Sequence, residues 1–228
     1  MFDLENTSPT AAMQRYAAEV FRLQQDHETV GLPLLGEYID VSAQAISRMI
    51  KKMEGEGYLT HEPYQGVRLT QSGEKIAMPA LRRHRLSEVF LVRVMGYDWA
   101  SAHDLTDTFE LGINEDLEDR MDDLTGHPTR CPHGEPIPTK EGEIIYPNDI
   151  SMVEIGSKVH GRISRVRTHD LDKLRYIGEL GLVPGKEFYL LSCAPFQGPL
   201  RLQMDNLDQV IGYELARVLW VELVEEED

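Results

Sequence analysis

Apolar residues recur at helical spacing over residues 10–25, where Ala17, Val20, Phe21 and Leu23 fall near one face. The apolar stretch "LPLLGEYI" (32–39) predicts a second, short helix. "DVSA" reads as a turn in which Ser42 caps the next helix. "AQAISRMIKKMEGEG" (43–57) predicts that third helix, with Ile46, Met49, Ile50 and Met53 on one face and an end at Gly55 and Gly57. The period then drops to two. Residues 58–70 alternate, break at Pro63 and Gly66 and alternate again, as a β-hairpin does. Helix, short helix, turn, helix and hairpin is the order of a winged helix-turn-helix.

Helical periodicity returns over 71–95, with Pro79 as a kink point, and over 98–111 and 114–124. Leu86, Val89, Phe90, Val92, Val94, Leu105, Phe109, Leu117, Met121 and Leu124 are more apolar positions than a lone helical hairpin can bury. They predict packing on a second copy, most simply in a two-fold dimer. Residues 125–150 read as loop. From 152 short strands dominate ("KVHGRISRV", "EFYLLSCA", "LRLQM", "ARVLWVEL"), with one helix, "LDKLRYIGEL", between the first two. Short strands punctuated by Gly and Pro predict a small barrel. The fold class is therefore α+β in three parts: a winged helix-turn-helix over 1–75, a helical dimerisation part over 76–148 and a β-barrel over 149–228.

Composition changes this picture little. Hydrophobic content of 41% and charged content of 27% over 228 residues are ordinary for a globular chain. No apolar run reaches membrane-spanning length, and the start, "MFDLENTSPTAAMQRYAAEVF", lacks the pattern of a signal peptide. The two cysteines, Cys131 and Cys193, have no spacing that asks for a bridge, which predicts a reducing, cytoplasmic setting without a membrane partner. The net charge of −16 argues against nucleic acid until its distribution is considered. Acid is concentrated in "EDLEDRMDD" (115–123) and the tail "VEEED", while "QAISRMIKK" (44–52) and "RRHR" (82–85) are locally basic.

The first of these basic stretches lies on the third helix. Ser42, Gln44, Ser47, Arg48, Lys51 and Lys52 point away from its apolar stripe. Gln and Arg can read base edges bidentately, while Ser and Lys hold phosphates, so this face predicts a double-stranded DNA operator as partner. The competing reading is a solvated face on a protein-interaction module.

Two further patterns carry chemistry. "RCPHGEPIP" (130–138) places Cys131 and His133 in a proline-stiffened loop that reads as exposed. It is open to a metal site, to a nucleophile with Cys131 attacking and His133 as base, or to no function. His84 and Glu88 share a helix face at i and i+4, and His103 on the next helix is followed by Asp107 and Glu110. Imidazoles and carboxylates on adjacent helices suit a divalent transition metal. Residue types alone leave open a surface pair and a solvated helix.

The order of these parts, a winged helix followed by "RRHRLSEVFL" and "AHDLTDTFEL", resembles the diphtheria toxin repressor family of metal-dependent transcriptional regulators and its manganese-sensing branch. The terminal "RYIGELGLVPGKEF" is similar to the SH3-like, ferrous-transport-A-type barrel of many members. The resemblance implies a first metal site at His84, Glu88, His103 and a barrel acid, Asp170 or Asp172, with Cys131 and His133 as a ligand arm. It implies a second site at Asp107 and Glu110. There the family pattern is broken, because Leu111 replaces a histidine and Arg15 an N-terminal ligand. Arg15 cannot ligate; it could pair with Asp107 or Glu110 instead, and Glu19 could substitute for it as ligand.

The carboxylate at 107 favours a hard ion such as Mn²⁺; Cys131 pulls towards Fe²⁺, Zn²⁺ or Cd²⁺. The expectation is a homodimeric, non-enzymatic, Mn²⁺-dependent repressor of metal-uptake genes, with Fe²⁺ as the alternative metal and Zn²⁺ or Cd²⁺ as substitutes in vitro. The rival regulator is a metal-independent winged helix whose histidines are structural.

Overall fold

The computed structural model describes residues 8–205 and 207–224, so the last acidic residues of the tail lie outside the described residues. The chain divides into two units. One holds the described residues up to Arg83 together with Pro138–Glu143; the other holds His84–Ile137 and the described residues from Ile144.

The first unit is the winged helix. Helix α1 (Ala11–Leu23) starts where the Thr10 hydroxyl accepts the Met13 amide at 3.3 Å. Helix α2 (Leu32–Ile39) carries Pro33 in its first turn, where no amide is needed, and ends at Asp40 in left-handed backbone. Helix α3 (Ala43–Gly55) begins on the predicted cap: Ser42 accepts the Ala45 amide at 3.3 Å. Ile46, Ile50 and Met53 are buried and the opposite face is exposed, as the periodicity required. Strands β1 (Leu59–Glu62) and β2 (Gly66–Leu69) form the antiparallel wing. Val30 bridges to Val67, and a side chain at Gly66 would meet the Val30 carbonyl oxygen at 2.3 Å, so the strand start requires glycine. Helix α1 packs on α2 and β2, α2 on α3, and α3 on β1.

Helix α4 (Gln71–Arg93) runs on from the wing, continues through Pro79 and supplies its residues from His84 onward to the second unit. There Asp98 caps α5 (Trp99–Phe109) by accepting the Ala100 and Ser101 amides, and a 3-10 turn (Glu110–Gly112) replaces the expected last turn of helix. Asn114 caps α6 (Glu115–Leu124). Of the predicted apolar positions, Leu86, Val89 and Met121 are buried with Cys131 and Ile137, and Phe90 and Phe109 stack beside them at 6.1 Å. Val94, Leu105, Leu117 and Leu124 remain exposed within one chain.

The remaining strands are β3 (Ile150–Ser151), β4 (Val159–Val166), β5 (Glu187–Cys193), β6 (Leu200–Met204), β7 (Leu207–Ile211) and β8 (Leu219–Leu223). They form one antiparallel sheet in the order β3-β8-β4-β5-β6-β7. Register shifts in β4 between Ile163 and Arg165, and in β5 between Leu190 and Ser192, are the irregularities that let a small sheet curl. Ile163, Leu174, Ile177, Phe188, Leu190, Leu202 and Val221 form its core, with Leu174 and Ile177 supplied by α7 (Leu171–Glu179). A last short helix, α8 (Tyr213–Ala216), precedes β8. Strands β3 and β7 go beyond the pattern read from the sequence. The loop before β3 also differs from expectation: most of 131–138 is buried rather than exposed.

Candidate metal centre and recognition helix

Helix α4 projects His84 and Glu88 from one face, as their spacing requires, and both are buried. Helix α5 brings His103 to them, and the loop brings Cys131 and His133. Glu88 is the hub. One carboxylate oxygen accepts from His103 Nδ1 at 2.7 Å and lies 3.5 Å from His84 Nε2; the other accepts from His133 Nδ1 at 3.3 Å. Cys131 Sγ lies 3.8 Å from His133 Nδ1. Donor atoms of His84, Glu88 and His103 lie within 4.8 Å of one another, and so do those of Glu88, Cys131 and His133.

Burial alone would raise the Glu88 carboxyl. The charge of His133 and the hydrogen bonds from His103, His133 and His84 outweigh it and hold the group well below the usual carboxylate range. Cys131 goes the other way. Burial, then the facing Glu88 carboxylate, push its thiol well above the ordinary range, and Arg85 only partly offsets them. Burial and a facing carboxylate act against thiolate formation, the opposite of what activates a cysteine nucleophile.

The other carboxylates divide. Glu110 Oε2 accepts from His84 Nδ1 at 3.0 Å and Asp107 Oδ1 lies 3.6 Å from the same nitrogen, so these three form another group of potential ligands. The two nitrogens of His84 thus face two different acid sets. Glu19, on α1, pairs with Arg22 of its own helix at 3.1 Å. Asp170 and Asp172 are exposed and belong to no such group among the described residues. Asp170 is the N-cap of α7, accepting the Asp172 and Lys173 amides at 3.0 and 3.1 Å, and Asp172 pairs with Arg175 at 3.2 Å. The barrel residue whose ring reaches the cluster is His169, stacked on His103 with centroids 5.5 Å apart. The residue type was visible in the sequence; the distance along the chain from His103 concealed its place.

The loop is held by backbone. Cys131 donates to the Glu135 carbonyl and Gly134 to the Cys131 carbonyl, each at 2.9 Å, and Val166 of β4 donates to the His133 carbonyl at 2.8 Å. Gly134 sits at φ +85°, and a side chain there would meet Ser164 O at 2.0 Å. Gly134→Ala is therefore expected to destabilise the protein by about 1–3 kcal/mol, the cost of strained backbone. Chemical denaturation checks this; a wild-type midpoint would rule out the close approach.

The donor set fits a divalent transition metal. Imidazoles, a thiol and a carboxylate are gathered in one buried cluster, and His133 Nε2 is a buried ring nitrogen with no hydrogen-bond partner. On α3, Ser42, Gln44, Ser47, Arg48, Lys51 and Lys52 are all exposed. Ser42 is engaged in its cap, Ser47 donates to the Ala43 carbonyl at 2.9 Å, and Lys52 lies 3.9 Å from Glu56. Gln44, Arg48 and Lys51 succeed one another along the open face. Tyr64, at the wing tip in left-handed backbone, is fully exposed and was not anticipated.

Family comparison agrees with this order of parts. Residues 9–67 match the iron dependent repressor N-terminal DNA binding domain, 70–139 the iron dependent repressor metal binding and dimerisation domain, and 150–223 the FeoA domain. The chain is 26% identical over 223 residues to the iron-dependent repressor IdeR of Mycobacterium tuberculosis, covering 92% of this chain and 96% of that one. A solved manganese-dependent transcriptional repressor in complex with manganese superposes with a TM-score of 0.84 at 30% identity, covering 93% of this chain and all (100%) of that one. The structure of ScaR with bound Zn²⁺ gives 0.77 at 27% identity, covering 93% and 99%.

Proposed function

Because the chain belongs to the diphtheria toxin repressor and manganese regulator family of metal-dependent transcriptional regulators, we propose that it is a metal-dependent DNA-binding repressor of metal-uptake genes. The observation that carries the reading is the buried Glu88 cluster, with donors from α4, α5 and the loop, in a chain that opens with a winged helix. It also speaks against a metal-independent regulator. Imidazoles and a thiol gathered on one buried carboxylate are poor packing and good ligands.

We assign His84, Glu88, His103, Cys131 and His133 as the ligands of the main site, with His169 in place of Asp170 or Asp172 on the barrel side. Glu110 and Asp107 form a second site in which His84 can take part. Mn²⁺ is the metal we propose, with Fe²⁺ as the alternative; Zn²⁺ and Cd²⁺ would substitute in vitro. Bound there, the ion would supply positive charge that ties α4, α5 and the loop together. The protein's own groups do the rest. Glu88 orders the histidine rings in advance, and α4 carries both His84 and Glu88.

Leu111 and Leu124, each 69% exposed, with Leu105 and Leu117, are exposed apolar side chains of the second unit, and they support a homodimer. Its two recognition helices would meet half-sites about one helical turn apart. Metal favouring one such spacing acts by population shift. Among the described residues no helix is long and apolar enough to cross a membrane, and we place the regulator in the cytoplasm.

Fluorescence anisotropy on a transporter-promoter duplex tests the reading. Mn²⁺ should raise affinity and chelator abolish the gain; equal binding in both would refute it. On the same duplex, Arg48→Ala should weaken specific binding by about 1–3 kcal/mol, as loss of a base contact does. Lys51→Ala should weaken all sequences alike and lower the salt slope by about one. Equal losses on specific and random duplexes for Arg48→Ala would remove its base-reading role.

A further inference from the structure

Two residues beyond His133, the loop carries a carboxylate, Glu135, whose two oxygens are taken up by arginines rather than by the histidines. Glu135 Oε2 accepts from Arg85 Nη2 and Oε1 from Arg165 Nη1, each at 3.3 Å. Arg85 lies between His84 and Glu88 on α4 and also donates to the Pro136 carbonyl. Arg165 lies on β4 and is gripped by both oxygens of Asp149 at 2.7 Å. The rings of Trp220 and Tyr146 flank its guanidinium at 4.9 and 5.7 Å. Burial works against the Arg165 charge, and Asp149 and Glu135 more than restore it.

Arg85, Glu135, Arg165 and Asp149 thus form an alternating, charge-balanced row, with side chains 2–14% exposed. Buried charges are a costly way to hold a loop, and apolar groups of the same size would stabilise it as well or better. Such a row does give direction: a carboxylate between two guanidiniums admits few orientations. Glu135 is where the arm is tied to α4 on one side and to β4 on the other.

We propose that Glu135 is the positioning residue of the Cys131–His133 arm, holding it beside Glu88 before any metal arrives. The inference rests on the reading of Cys131 and His133 as ligands. It goes beyond that reading by saying that the ion enters a preset arm rather than ordering a loose one.

Glu135→Gln in the full-length protein tests it. The amide keeps the size of the side chain and loses the charge between the guanidiniums. Mn²⁺ affinity, measured from the paramagnetic resonance of free Mn²⁺, is expected to fall about 10–100-fold, the usual consequence of removing a group that orients metal ligands. Thiolate-to-metal absorption per bound Cd²⁺ should fall as well, with the helical circular dichroism unchanged. Arg162→Ala, which breaks an exposed pair with Glu187 elsewhere in the sheet, should alter neither. A folded Glu135→Gln protein with wild-type affinity and full thiolate absorption overturns the proposal.

A measurement on the unaltered protein decides the matter should the variant not fold. In the metal-free state the Gly134 and Val166 amides should already be protected from hydrogen exchange. Free exchange that stops only on adding Mn²⁺ would mean that metal, not Glu135, orders the arm. Absence of thiolate absorption in Cd²⁺-loaded wild type would instead sink the ligand reading, and the exchange result would still judge the clamp.

Discussion

Glu88→Gln is expected to abolish metal-dependent operator binding while leaving the protein folded. Glu88 is the one side chain shared by the His84–His103 group and the Cys131–His133 group. Its carboxylate accepts from His103 and His133 at once, and an amide has a single acceptor oxygen, so at least one ring would have to turn or change tautomer. The variant also removes an anion that any cation in the cluster would face. Losing a group that merely orients ligands costs about 10–100-fold in affinity; losing a charged ligand that also orients two others should cost about 100-fold or more. The check is a Mn²⁺ titration of anisotropy on a duplex that the wild type selects. A Glu88→Gln midpoint within a few-fold of wild type would defeat the assignment. The depressed Glu88 carboxyl gives the metal-free protein a pH signature as well. Its contribution to stability is present above the unfolded carboxylate range and is lost as pH falls through the lower folded value. Glu88→Gln should lack this acid-side loss.

Cys131→Ala should lower Cd²⁺ affinity more than Mn²⁺ affinity, because a soft ion loses more with a thiolate. Cys193, exposed on β5, is the built-in control: Cys193→Ala should change neither, and metal should shield Cys131 alone from alkylation. The thiol sets a pH dependence with a definite sign. Its folded value is raised, so at neutral pH the metal-free thiol carries a proton that an incoming ion must displace. Metal affinity should therefore climb with pH, and more steeply in wild type than in Cys131→Ala. For the metal-free fold the sign reverses. The stability tied to the protonated thiol is fully present below about pH 8.5, the unfolded value, and is lost as pH rises through the higher folded one. Proton release on Cd²⁺ binding, followed with a pH indicator, should drop by close to one per site in the variant. Undiminished release, or alkylation of Cys131 that metal does not slow, would take the arm out of the site.

Where period and capping agree, the sequence and the structure coincide. Residues 32–39 form α2 as read, and Ser42 caps α3 as read. Local signals failed where a segment's environment comes from distant chain. "RCPHGEPIP" has the composition of an exposed loop, yet Cys131 is 6% exposed, because β4 and Arg85 supply hydrogen-bond partners that let it be buried. Strand β3 is two residues long, too short to show a period. On the barrel side, Asp170 is a metal-binding type engaged in capping a helix, while His169 beside it turns towards His103. His84 and Glu88 could be paired from their spacing alone. Glu135 could not, because its partners lie 50 and 30 residues away.

The indole of Trp99 lies against the His133 ring, 5.1 Å between centroids and 21° from parallel. The chain's other tryptophan, Trp220, lies 4.9 Å from the guanidinium of Arg165 and 4.7 Å from that of Arg167. The molecule therefore carries two indole fluorophores in different electrostatic surroundings, one beside an imidazole and one beside two guanidiniums. A paramagnetic ion held by His133 would quench the first at contact range. A shift of the Arg165 charge would move the emission of the second. Exchanging either indole for phenylalanine would separate the two signals, so that ion entry and movement of the arginine could be timed independently in a stopped-flow mixer, without attaching a dye.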